Sequence, residues 1–206
     1  MELNTFPYRQ YNLGTIDRFI SQQNGYTISV IEFIDIVEQI IPLLNVFGPS
    51  FKSLVYELKQ DINVLQSSHE SAGLFDDLKG LLCYANTTGA KKLTEAVLWI
   101  NRCLRCFQTT LCLMLHARKH GYLTGSLAPL IRMAYIYHLR SYHSWLDQQI
   151  FESLLTHSPP TLKVVEALKD NVKETVESVF FRIASFEGTL KKFLSHLNNS
   201  LELDIN

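Results

Sequence analysis

The stretch from Leu93 to Leu115, LTEAVLWINRCLRCFQTTLCLML, limits what this chain can become more than any other. Its apolar residues fall on nearly every side of a 3.6-residue period, so a surface helix with a single apolar stripe does not describe it. It reads as a central helix packed on most sides. The polar exceptions are Glu95, Asn101, Arg102, Arg105 and Gln108. Each must reach water at an edge or meet a specific partner, because a buried polar group without one is costly. Trp99 stands at the polar end, where an indole either fills core or offers a flat apolar face at the mouth of a cavity.

The flanking sequence supplies more helices. Ser29, with Glu32 three residues on, is a capping-box signature ahead of VIEFIDIVEQIIPLLNVFG, which stops at Gly48-Pro49. Pro42 withholds a backbone donor inside that run, and a kink near Glu38 is expected. A second helix, capped by Ser50, carries Phe51, Leu54, Leu58, Ile62 and Leu65 at helical spacing. Residues 67–73 read as a loop and 74–84 as a shorter helix. The central helix ends around Lys119-His120-Gly121. LAPLIRMAYIYHLRSYHSWLDQQIFESLL, entered at Ser126, reads as one helix or two in tandem. Residues 161–171 and 172–198 complete the set, and 15–21 fits a short entry helix. No segment reads as a strand, so the fold class is all-α. With no proline- or serine-rich linker, residues 1–206 read as a single domain.

Composition excludes several functions. A formal charge of −1 lacks the concentrated basic surface that nucleic acid requires. Arg102 and Arg105 interrupt the most apolar run, and no signal peptide opens the chain, so a cytoplasmic protein without a membrane span is expected. Cys83, Cys103, Cys106 and Cys112 have no secreted-scaffold spacing and read as reduced thiols. Cys103, Cys106, His116 and His120 look superficially like zinc ligands. On one helix, however, Cys103 and His116 stand about 20 Å apart, too far for ligands about 2 Å from one ion. No metal or other cofactor is expected. Nucleophile elbows, phosphate loops and dinucleotide fingerprints are absent from the sequence, which argues against an enzyme.

Two further features bear on binding. Glu57 and Asp61 stand four apart, so two carboxylates share one helix face and repel unless something converges there. Tyr142-His143-Ser144-Trp145 sets an imidazole and a large aromatic two apart. Read as helix, the offset of about 200 degrees sends one inward and the other outward.

In order, FIDIVEQIIPLLNVFG, PSFKSLVYELKQDI, EAVLWINRCLRCF and YHSWLDQQIFESLL resemble the glycolipid transfer protein family across most of the chain. The resemblance implies a two-layer helical sandwich of about eight helices with a glycolipid transfer protein-like fold. It also implies a sphingolipid held with its chains in an apolar pocket and its headgroup at a polar surface site, without a cofactor. The family's headgroup centre uses an aspartate, an asparagine and a lysine on the second helix, a tryptophan on the central helix, and the histidine of a His-x-Trp element. The matching positions here are Glu57, Asp61, Val64, Trp99 and His143. Two are kept, two are acidic replacements, and the lysine has become valine.

By this resemblance Glu57 and His143 bracket a ceramide amide, Trp99 stacks on a sugar, and Asp61 accepts from hydroxyls. Glu95, Arg102 and Tyr142 lie adjacent to the headgroup. Phe33, Val37, Phe107, Leu111, Met114, Leu115, Ile150 and Phe151 are candidates to line the apolar pocket, and Trp145 is the candidate for transient contact with a membrane surface. The expected protein is a monomer, peripheral at membranes, that binds a sphingolipid or glycolipid and moves it between bilayers. Two alternatives remain. One is a lipid sensor or protein-interaction module that keeps the fold without transfer. The other is a ceramide phosphate-type carrier, whose termini LELDIN faintly resembles, although arginines of such relatives match Trp99 and Glu95 here and a lysine matches Asp61.

Overall fold

The computed structural model describes residues 27–72, 76–122 and 125–201, together with Leu13, Asp17 and Ile20. The described residues form eight α-helices and no strand: α1 (Val30–Val46), α2 (Pro49–Ala72), α3 (Leu78–Thr88), α4 (Lys91–Lys119), α5 (Ala128–His138), α6 (Trp145–Leu155), α7 (Thr161–Ala167) and α8 (Val176–Leu201). A 3₁₀ turn, Arg140–Tyr142, lies between α5 and α6. Of the short entry helix expected at 15–21, most lies outside the described residues.

The central helix is α4, which packs against α2, α3, α5 and α8. Its polar residues divide by neighbour. Asn101 donates to Asn198 Oδ1 at 2.7 Å and Arg105 to the Leu194 carbonyl at 3.3 Å, while Gln108 donates to Glu187, so three polar side chains each find a partner on α8. Glu95 and Arg102 take the other course and face a surface pocket. One continuous cluster of buried side chains draws on all eight helices, including Phe33, Phe51, Leu81, Phe107, Ile131, Phe151, Val165 and Phe186.

Local chemistry fixes the ends. Ser29 and Glu32 form the expected capping box on α1. Asp77 caps α3 by accepting from Gly80 N at 2.7 Å, and the two cap residues pair as an isolated bridge, which pins the start of α3 to the start of α1. Between α1 and α2 the chain turns at Gly48, whose φ of +101° favours glycine. A Cβ there would stand 2.6 Å from Pro159 Cδ, on the loop after α6. At the far end, Arg182 of α8 donates to both Glu174 oxygens and to the Leu168 carbonyl, closing the α7–α8 connection.

Four local expectations are corrected. Helix α2 begins at Pro49, and the buried Ser50 hydroxyl has no partner among the described residues, so Ser50 is not its cap. The same helix continues to Ala72, because nothing between Ser67 and Ala72 breaks it. The shorter helix expected from 74 starts instead at Leu78, after the Asp77 cap, and runs to Thr88. The run after Ser126 is two helices, one of the two readings offered, but His143 and Trp145 do not share a helix as expected. Among the described residues no helix is long and apolar enough to cross a membrane.

Candidate headgroup site between the second and central helices

The α2 and α4 helices cross so that residues one turn apart on each share a pocket of about 420 Å³. From α2 come Glu57, Gln60 and Asp61, from α4 Glu95, Leu98, Trp99 and Arg102, and from the 3₁₀ turn Tyr142. Spacings of three and four residues place each set on a single helix face. All of Glu57, Asp61, Trp99, Glu95, Arg102 and Tyr142 are thus brought together. Val64 packs against the core instead of lining the pocket.

His143 reaches the site through a break in the helix. Leu139, fully buried, ends α5, the chain makes the 3₁₀ turn, and His143 is extended at φ −87° and ψ 142°. Ser144 then opens α6 with a second capping box: its Oγ accepts from Asp147 N, and Asp147 Oδ2 accepts from Ser144 N, both at 3.3 Å. Gln148 Nε2 ties the break together by donating to the carbonyls of Arg140 and His143, each at 3.0 Å. The imidazole is directed inward, with 9% of its side chain exposed. It lies 5.1 Å from the Trp99 ring, centroid to centroid, and its Nε2 is 3.9 Å from Glu57 Oε2. Trp145, on the far side of the break, is 74% exposed.

The electrostatics are unbalanced toward acid. Burial, and then the charge of Glu57, push the Asp61 carboxyl up to about 7. The Cys103 thiol beneath is pushed well up by burial first, then by Glu57. Arg102 is the cation on the lining, and its guanidinium carbon lies over Tyr142, 3.7 Å from the ring centroid. Among the described residues two buried donors on this wall have no partner, Trp99 Nε1 and Arg102 Nε. The pocket therefore offers carboxylate acceptors, donors without partners and an aromatic surface, a set suited to a hydroxyl-bearing ligand.

The chain has 206 residues, and the model of the glycolipid transfer protein (GLTP) family matches residues 28–170. This chain belongs to the glycolipid transfer protein family. Solved structures share its fold at low identity. Mouse ceramide-1-phosphate transfer protein in its apo-form superposes with a TM-score of 0.77 at 16% identity, covering 93% of this chain and 96% of that one. The fungal glycolipid transfer protein HET-C2 gives 0.74 at 20%, covering 86% and 87%. Human ceramide-1-phosphate transfer protein in complex with 12:0 ceramide-1-phosphate gives 0.76 at 13%, covering 95% and 100%. No curated protein matches this chain by sequence. The family is one of lipid carriers, not of enzymes.

Of the residues expected along an apolar pocket, Phe33, Val37, Phe107, Leu111, Met114 and Phe151 are at most 2% exposed within the continuous core. Phe107 meets Phe47, Phe51 and Phe186 at ring distances of 5.1 to 6.4 Å. Leu115 is partly buried against this core. Ile150 is the exception. It is 49% exposed, because α6 buries Phe151 and Leu155 and turns the neighbouring face outward. Sequence reasoning missed Gln60 and Leu98 on the lining and Tyr135 behind His143. The first two follow from helical spacing around Asp61 and Trp99. Tyr135, beside Ala134 on a buried face, carried the signal that a buried hydroxyl needs a partner.

Proposed function

We propose that this chain binds a neutral two-chain sphingolipid bearing a small sugar headgroup and carries it between membrane surfaces, making and breaking no bond. The single observation behind the reading is the pocket that joins Glu57 and Asp61 to Trp99, with His143 beside Trp99 and Glu57. Trp99 presents a flat apolar ring for a sugar face, and Glu57 and Asp61 accept from its hydroxyls, which relieves their mutual repulsion. Glu57 accepts from an amide N–H and His143 donates to the amide carbonyl. The hydrocarbon chains enter the core around Phe33, Val37, Phe107, Leu111, Leu115 and Phe151.

Charge favours the neutral headgroup. A phosphate monoester brings about two negative charges to a wall where, among the described residues, Glu57, Asp61 and Glu95 stand against Arg102. Docking is assigned to the outward face of the break, where Trp145, Leu146, Ile150 and Tyr142 are all exposed and an indole prefers the membrane interface. The protein acts as a monomer in the cytoplasm, peripheral at bilayers. A transfer assay with vesicles carrying either a monohexosyl ceramide or ceramide phosphate tests the reading. Faster transfer of the hexosyl lipid is expected. Preference for the phosphate would make Arg102 the anchor, and binding of the hexosyl lipid without transfer would mark a sensor.

A further inference from the structure

The Tyr135 side chain is fully buried, yet it carries a hydroxyl. Its ring lies face to face with Phe151, centroids 3.8 Å apart and planes 12° from parallel, which leaves the hydroxyl little freedom. That hydroxyl stands 3.0 Å from His143 Nδ1. The other ring nitrogen, Nε2, faces the Glu57 carboxylate at 3.9 Å. Each imidazole nitrogen thus has one polar neighbour, on opposite sides of the ring.

We infer that Tyr135 is the positioning residue of the headgroup site: its hydroxyl donates to His143 Nδ1, which fixes the neutral ring with its proton on Nε2 and aims that N–H at the pocket. Both sides of the ring require this assignment. If Nδ1 carried the proton, the Tyr135 hydroxyl would have to accept, and its own hydrogen would have no acceptor among the described hydrogen bonds, in a place without water contact. The Nε2 lone pair would then point at the Glu57 carboxylate, two acceptors facing each other. With Tyr135 donating, every polar atom on this line is used and Nε2–H is left as the donor at the pocket edge. Burial, and then the charge of Glu152, push the Tyr135 phenol up to about 12, so it keeps its proton through the neutral range. Tyr135 itself does not line the pocket and acts only through His143. The assignment of Nε2–H to a lipid carbonyl rests on the proposed function, whereas the tautomer does not.

The experiment is nitrogen NMR of the seven histidines in full-length protein at pH 8, where an ordinary imidazole is neutral, with the His143 signals assigned from a His143→Gln sample. The expected spectrum has a protonated Nε2 and an acceptor Nδ1 as a single tautomer. Tyr135→Phe keeps the ring on Phe151 and removes the donor. It should give His143 averaged nitrogen shifts and weaken binding of a short-chain hexosyl ceramide by about five- to tenfold. If Tyr135→Phe does not fold, the wild-type spectrum decides alone. A protonated Nδ1 in the wild-type protein overturns the inference, as does an unchanged His143 spectrum in folded Tyr135→Phe. Should the tautomer be as expected while wild-type protein takes up no hexosyl ceramide, the lipid reading fails and the positioning contact stands.

Discussion

Glu57 Oε2 lies 3.9 Å from His143 Nε2, so a carboxylate on α2 faces the imidazole nitrogen that Tyr135 does not occupy. Replacing His143 by Leu keeps most of the volume and removes both contacts at once. Uptake of a fluorescent hexosyl ceramide should fall by about five- to tenfold, the worth of one hydrogen bond between neutral groups. The stranded Tyr135 hydroxyl should cost about 1–3 kcal/mol of stability while circular dichroism still reports the full helix content. Uptake equal to wild type would remove His143 from the site.

Asp61 gives the site a pH signature. Its carboxyl is pushed from 3.8 up to about 7 by burial and by Glu57, so the folded chain binds more protons than the unfolded one between those values. Stability should therefore fall as pH rises through that window, with the full penalty present above about 7. Asp61→Asn removes the charge. Discounted for the exposed part of the group, the gain at pH 8 should be roughly 1 kcal/mol, or about 2–4 °C in melting temperature, and it should vanish near pH 4. Equal gains at the two pH values would assign the effect to packing.

Trp145→Ala separates docking from folding. The indole is 74% exposed at the first position of α6, so its loss should leave the melting temperature within about 2 °C. Co-sedimentation with phosphatidylcholine vesicles should drop several-fold. Undiminished sedimentation would exclude Trp145 from the docking face.

Gly48→Ala probes the α1–α2 corner. The new methyl would meet Pro159 Cδ at 2.6 Å on a backbone of φ +101°. Strain and clash together should cost about 2–4 kcal/mol, read as a lower urea midpoint with an unchanged slope. A change below about 0.5 kcal/mol would mean that the α6–α7 loop yields freely.

Much of this arrangement was legible in the chain, for local reasons. Residues 93–115 are apolar on most sides, and α4 is the helix that touches α2, α3, α5 and α8. The Ser29 and Glu32 box depends only on a three-residue spacing and stands as read. Glu57 with Asp61, and Trp99 with Arg102, were visible as faces of single helices, and their convergence followed from the family resemblance. The break at His143 carried the same kind of signal in Ser144 and Asp147, but the apolar run on either side masked it. Tyr135 and His143 are joined across eight positions by a 3₁₀ turn, a pairing to which no helical period corresponds. Ile150 failed as a pocket residue because hydrophobicity does not tell which face of a short helix is outward.

The joint from Arg140 to Gln148 behaves as a mechanical gauge block. One amide, Gln148 Nε2, grips the carbonyls of Arg140 and His143, and the Ser144 box locks the next turn, so the spacing from the inward imidazole to the outward indole is held on both sides of the break. Substitutions on the outer faces of α5 and α6 can accumulate without disturbing that spacing. A single inserted residue would rotate one side chain against the other and uncouple what the chain feels at its surface from what it holds inside.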